Sequence, residues 1–186
     1  MSGDVLIQIQ ETPNPSAWKF ILDRPVLNEG KASYSSVSET GGQRLADDLL
    51  NIDGVKQVHF FQNVITVTAR FDAEADDIQA AASAVIHRDM PMHNPDFGPK
   101  DVTLKKREGF SPELLRIEEI LDRTIRPGLQ GDGGDIEVVK FEDNKLYVIY
   151  QGACGTCPSA TAGTLMAIEG ILRDEFSPEI EVVPLS

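Results

Sequence analysis

The chain has 186 residues, of which 41% are hydrophobic and 25% charged, with a formal net charge of −13 at pH 7. This is the composition of ordinary folded domains; no apolar run approaches the roughly 20 residues of a membrane-spanning helix, and the acidic balance lacks the basic footprint that nucleic-acid phosphates require. The expected partners are therefore proteins met through local complementary patches, with no nucleic acid and no membrane.

The opening "MSGDVLIQIQ" has neither the basic flank and apolar core of a signal peptide nor the Arg-rich character of a transit peptide. A cytoplasmic, bacterial-type protein is expected, and a processed organelle matrix protein would look the same. "VLIQIQ" (5–10) and "WKFIL" (18–22) read as strands around the turn-forming "ETPNPSA". Gly41-Gly42 precedes a short helix over "QRLADDLLNI", which Asp53-Gly54 ends. "VKQVHFF" and "VITVTARF" predict a hairpin around Gln62-Asn63, and "AEADDIQAAASAVIHRDM" predicts a helix with Asp72 as its N-cap. His59, His87 and His93 fall singly, without the convergent partners a ligand set needs, and are expected to be surface or partly buried histidines.

Residues 91–109 carry three prolines, two glycines and the run Lys105-Lys106-Arg107, without a sustained apolar period. They read as a solvated linker between a domain over 1–90 and a second over 110–186. In the second domain Ser111-Pro112-Glu113 is a helix start, with a cap, a first-turn proline and an acid at the positive dipole end. Leu114, Ile117, Leu121 and Ile125 follow at helical spacing, and Pro127-Gly128 predicts the stop. "DIEVVKF" and "KLYVIYQG" predict a hairpin through "EDN". Leu165, Ile168, Leu172 and Phe176 mark a last helix, and "EIEVVPL" a closing strand. The fold class is α+β: two small α/β-sandwich-type domains, each burying one helical face on a sheet.

The chain's two cysteines, Cys154 and Cys157, stand as C-x-x-C in "GACGTCPSA". Pro158 suits the first turn of a helix, so Cys157 falls near a helix N-terminus, where a thiol pKa is lowered. In a reducing compartment such thiols read as chemistry or metal. Three chemical readings stand at this point, beside the plain one of two inert buried cysteines. A thioredoxin-like redox pair wants a βαβ context, which a motif following a hairpin does not supply. Zinc and iron–sulfur sites typically want four protein ligands, and one chain supplies two thiols.

The surroundings carry a resemblance. Arg126-Pro127, Leu129-Gln130, Asp132-Gly133-Gly134-Asp135-Ile136, Gly152-Ala153-Cys154 and Cys157-Pro158-Ser159 occur in order, and residues 125–172 closely resemble the C-terminal domain of Nfu/NifU-type iron–sulfur cluster scaffold and carrier proteins. "QETPNPSAWKFI", "LLNIDGVKQVHFFQNVITVT" and the Ala-rich helix are similar to the Nfu N-terminal domain. The "TLKxGIE" run of many relatives falls, with the cysteines aligned, on Gly163, Thr164, Leu165 and Ala167 at its Thr, Leu, Lys and Gly, so its lysine is a leucine here.

The resemblance implies a non-enzymatic carrier. Cys154 and Cys157 would ligate an iron–sulfur cluster, with [4Fe-4S] the expected form, together with the same pair from a second chain in a cluster-bridged homodimer. The implied partners are apo iron–sulfur client proteins and an upstream cluster donor, with the N-terminal domain as adaptor. The competing readings are a thiol oxidoreductase using the same pair and a zinc-linked dimer. "GDGGD" (131–135) reads either as a loop near the cluster, with glycine backbone making room, or as a plain turn with Asp caps.

Overall fold

The computed structural model describes residues 4–97, 107–153 and 158–185, with the side chains of 158–161 excepted. Lys105 and Lys106 of the basic run, and both cysteines, lie outside the described residues.

The N-terminal domain is a five-stranded sheet in the order β1-β2-β5-β4-β3. Its strands are β1 (Ile7–Glu11), β2 (Ala17–Leu22), β3 (Lys31–Tyr34), β4 (Val55–Phe61) and β5 (Val64–Ala69), and its helices are α1 (Arg44–Leu50) and α2 (Ala75–Asp89). Every strand pair is antiparallel. Period-two alternation puts Trp18, Phe20, Val58, Phe60, Ile65 and Val67 on one face, where they meet Leu45 and Leu49 of α1 and Ile78, Ala82 and Ile86 of α2. Phe20 and Phe60 are fully buried at the centre. β4 and β5 turn through Gln62-Asn63 as expected, with Gln62 at φ 53° and Phe61 opposite Val64. Helix α2 starts later than the sequence suggests. Glu74 is its N-cap, and Asp72 pairs instead with Arg70 at 3.4 Å. Strand β3 has no sequence signal of its own; four residues between two turns take their conformation from pairing with β4.

The start of the expected linker packs on this domain. Met90–Met92 forms a short 3₁₀ turn, His93 Nε2 donates to the Val26 carbonyl at 2.6 Å, and Phe97 meets Phe60 edge-on with centroids 5.4 Å apart.

The C-terminal domain contains α3 (Pro112–Thr124), α4 (Arg126–Gly131), β6 (Gly134–Glu142), β7 (Lys145–Gly152), α5 (Pro158–Glu175) and β8 (Glu181–Pro184). The sheet order is β6-β7-β8, antiparallel then parallel. The Ser111 cap forms as expected: its Oγ accepts from the Leu114 amide at 3.3 Å. Pro127 differs from expectation. Helix α3 ends at Thr124, and the proline sits in the first turn of α4, where its missing N–H costs nothing. Leu114, Ile117, Leu121, Ile168 and Leu172 are buried as predicted, with Leu165 packed at the edge, and Val138 and Val148 of the hairpin are buried with them. The β6–β7 turn has Asp143 and Asn144 at φ 51° and 59°, the left-handed pair that a two-residue hairpin turn requires.

Candidate functional site

Strand β7 ends at Gly152 and helix α5 begins at Pro158, so the C-x-x-C pair falls between a strand end and a helix start, as the sequence predicts. Cys154 and Cys157 themselves lie outside the described residues. Their approach is well defined. Ala153 is buried, and its N–H donates to the Gly133 carbonyl at 3.1 Å. Gly134 lies opposite Gly152 in the β6–β7 ladder. The "GDGGD" segment is therefore the neighbour of the residues leading into Cys154. Gly152 has φ +64°, and a Cβ on it would lie 2.4 Å from the Gly133 carbonyl oxygen. Gly152→Ala is expected to destabilise the chain by about 2 kcal/mol or more, from left-handed strain plus a clash with backbone that cannot swing away. The denaturant midpoint measures this, and a wild-type midpoint would contradict it.

The second contribution comes from the N-terminal sheet. Opposite its core face, Lys19, Thr66, His59 and Ser33 form one row across β2, β5, β4 and β3. Ala17, Thr68 and Gln57 form the next. Alternation makes this face polar, and a polar sheet face ordinarily meets water. Here it meets the C-terminal domain. Thr66 and Thr68 are fully buried, and their hydroxyls find no hydrogen-bond partner among the described residues. Lys19 Nζ donates to the Gly131 carbonyl at 2.6 Å. A Cβ on Gly133, at φ +79°, would lie 2.8 Å from Thr66 Oγ1 and 2.7 Å from Lys19 Cγ, so the glycine lets the sheet come down on the loop. Two side chains reach the cysteine approach itself. Asn14 Nδ2 donates to the Ala153 carbonyl at 2.9 Å, and Gln57 Oε1 accepts from the Gly152 amide at 2.9 Å.

A buried charge network joins the same loop to both domains. Asp135 is fully buried, with Lys31 Nζ at 2.9 Å, Arg126 Nε at 3.6 Å and Gln130 Nε2 at 3.1 Å. Arg126 also grips Glu118 with both terminal nitrogens, at 2.8 and 3.1 Å, and pairs with Asp122. Arg107, expected as a solvated linker residue, pairs with Glu118 and with Asp122, the latter at 2.8 Å. Asp135 is thus an ion-pair anchor rather than a turn cap. Burial lowers the Lys31 pKa, and the Asp135 carboxylate opposes that.

His59 is buried against this network, hydrogen-bonded through Nδ1 to Ser33 Oγ at 2.6 Å. Burial pushes its pKa down to about 4, with Lys31 acting the same way and Asp135 opposing. The folded state therefore holds His59 neutral where the unfolded chain protonates it. The stabilisation is complete above pH 6.5 and is lost progressively as pH falls toward 4. Going from pH 7 to pH 5 is expected to remove about 2 kcal/mol through this residue. Denaturant midpoints at the two pH values check this, with His59→Gln expected to flatten the profile; equal slopes in variant and wild type would contradict the assignment.

Among the described residues, no group of three or more His, Cys, Asp or Glu side chains is placed to hold a metal ion, and no helix is long and apolar enough to cross a membrane. Sequence reasoning did not find Asn14, Lys31 or Gln57, and it expected His59 to be a surface or partly buried histidine, whereas the C-terminal domain covers it and leaves it 2% exposed. The one signal available was the density of polar residues able to hydrogen-bond on alternate positions of β2, β4 and β5.

Comparison with known proteins gives consistent matches over both halves. A family model described as "Scaffold protein Nfu/NifU N terminal" matches residues 7–91, and one described as "NifU-like domain" matches residues 117–183. The chain is 33% identical over 179 residues to "NifU-like protein 4, mitochondrial" of Arabidopsis thaliana, covering 93% of this chain and 63% of that protein. It is 32% identical over 185 residues to "NFU1 iron-sulfur cluster scaffold homolog, mitochondrial" of Homo sapiens, covering 96% of this chain and 71% of that protein. The chain thus spans somewhat less than two thirds of the plant relative's length. The solution NMR structure of a NifU-like protein from Saccharomyces cerevisiae aligns with 54% of this chain and 91% of its own, at 16% identity and a TM-score of 0.46.

Proposed function

Because the chain belongs to the Nfu/NifU family, we propose that it is an iron–sulfur cluster scaffold that binds a [4Fe-4S] cluster through Cys154 and Cys157 and passes it to apo-proteins. The observation that carries this reading is the C-x-x-C pair between β7 and α5 in a chain whose two halves both match the family. Pro158 opens α5, so Cys157 immediately precedes the positive end of an 18-residue helix, which favours the thiolate that iron requires.

Such clusters typically take four thiolates and one chain has two cysteines, so a second copy supplies the other pair and the loaded form is a homodimer. Transfer is ligand exchange: client thiolates replace Cys154 and Cys157 stepwise, with no change in cluster oxidation state and no enzymatic turnover. The cluster belongs to the domain over 110–186. Residues 91–109 connect it to the domain over 1–90, which serves as adaptor for clients or for the upstream donor. The two relatives are named as mitochondrial proteins. Cytoplasm and organelle matrix are both reducing, and either keeps the thiols free.

Anaerobic reconstitution of the full chain with iron and sulfide tests the proposal. The expected product is a brown dimer with about four irons per two chains and broad absorption near roughly 400 nm, formed from a colourless monomer. A monomer carrying a full cluster would overturn the dimer, and a colourless chain that takes up no iron but reduces disulfides would replace the carrier reading with a thiol oxidoreductase.

A further inference from the structure

Gly152 and Ala153, the two residues leading into Cys154, are held by side chains that come from the other domain. Gln57 of β4 accepts from the Gly152 amide, and Asn14, from the turn between β1 and β2, donates to the Ala153 carbonyl, both at 2.9 Å. Neither contact follows from the C-terminal fold, whose own ladder, among the described residues, reaches these two through Gly134 and Gly133. Both N-terminal side chains are themselves fixed. Asn14 Oδ1 accepts from the Ser16 backbone N–H at 3.0 Å, and the backbone N–H of Asn14 donates to Thr12 Oγ1 at 3.1 Å. Gln57 sits at the irregularity in the β4–β5 register and donates to Ser35 Oγ at 3.3 Å.

We propose that Asn14 and Gln57 are positioning residues for the cysteine pair: the N-terminal domain clamps Gly152 and Ala153, the described residues that lead directly into Cys154. This deepens the carrier reading and rests on it for the cluster, while the clamp itself concerns the apo chain. The surface around the clamp suits a contact that holds and lets go. The N-terminal sheet brings Thr66, Thr68, Lys19, His59 and Lys31 to it, Lys31 pairing with Asp135, and such polar contacts are the character of separable interdomain interfaces. The Thr66 and Thr68 hydroxyls, buried without partners among the described residues, lower the cost of separation, since water satisfies them once the face opens. The N-terminal domain then has a second task besides recognising partners: it holds Gly152 and Ala153, the two residues that lead into Cys154.

The test uses the full-length chain in its apo, reduced form. Asn14→Asp keeps the acceptor for Ser16 but sets a carboxylate against the Ala153 carbonyl. Gln57→Leu removes the acceptor for Gly152, and Gln57→Glu restores one. The primary readout is the rate of thiol alkylation by iodoacetamide, followed by mass spectrometry, with circular dichroism on the same samples. Asn14→Asp and Gln57→Leu are each expected to speed alkylation roughly three- to tenfold, the change that loss of one hydrogen bond brings, while Gln57→Glu stays at the wild-type rate. After reconstitution, loss of cluster to a chelator is expected to follow the same order. Alkylation rates within about twofold of wild type in both disruptive variants, or a Gln57→Glu chain that behaves like Gln57→Leu, would overturn the clamp. Because alkylation needs no cluster, a chain that takes up no iron would defeat the carrier proposal and still leave the clamp decided by these rates.

Discussion

Cys154→Ser and Cys157→Ser are each expected to give a folded chain that no longer holds a cluster. A serine hydroxyl is a harder donor than a thiol and has a far higher pKa, so it does not present the anionic sulfur that iron–sulfur clusters require. The loss should be near complete rather than half. In a symmetric dimer each substitution removes two of the typically four ligands, because the same change occurs in both chains. The fold should survive, because Ile117, Leu121, Val148, Ile168 and Leu172 already form an apolar core for this domain. Iron content and circular dichroism of the two variants beside wild type check both halves of the expectation. A variant with a full complement of cluster would remove that cysteine from the ligand set. An unfolded variant would make the cysteine structural.

The second large effect is expected at Arg126. Its side chain is 8% exposed and lies between Glu118 at 5% and Asp135 at 0%. Exposed ion pairs contribute less than about 1 kcal/mol, because water and salt compete with them. This one is different, since removing the cation leaves two carboxylates in a region from which water is largely excluded. Arg126→Met is expected to cost about 3 kcal/mol, toward the low end for breaking a buried pair, because Arg107 still reaches Glu118 and Lys31 still reaches Asp135. Pairing it with Glu118→Met should recover part of the loss, since a matched apolar replacement removes the stranded charge with its partner. Denaturant midpoints measure both. A single variant within about 1 kcal/mol of wild type would show the network to be solvated.

Much of the fold was legible in the chain. Alternation placed β2, β4 and β5 within a residue or two of where they form, and helical spacing placed the cores of α3 and α5. The Ser111 cap and both hairpin turns are local devices that act over a few residues, which is why they can be read from a few residues. The departures share a cause as well. Pro127 stops one helix and opens another, and either use is allowed by its fixed φ; which one prevails depends on where Leu129 and Arg126 find their burial. Asp135 reads as a turn residue until Lys31, more than a hundred positions away, is set beside it.

The sequence by itself determined the two-domain α+β plan, the family, and the C-x-x-C pair at the end of a hairpin, because periodicity, turn chemistry and short motifs are all carried by neighbours along the chain. Tertiary structure alone decided that the polar face of the N-terminal sheet is buried and that it closes on the approach to Cys154. Alternating Lys19, Thr66, His59 and Gln57 give the same pattern whether that face meets water or another domain. The choice between the two rests on contacts such as Asn14 to Ala153, 139 residues apart, in which each side chain's hydrogen bond is satisfied by backbone that no local rule places nearby.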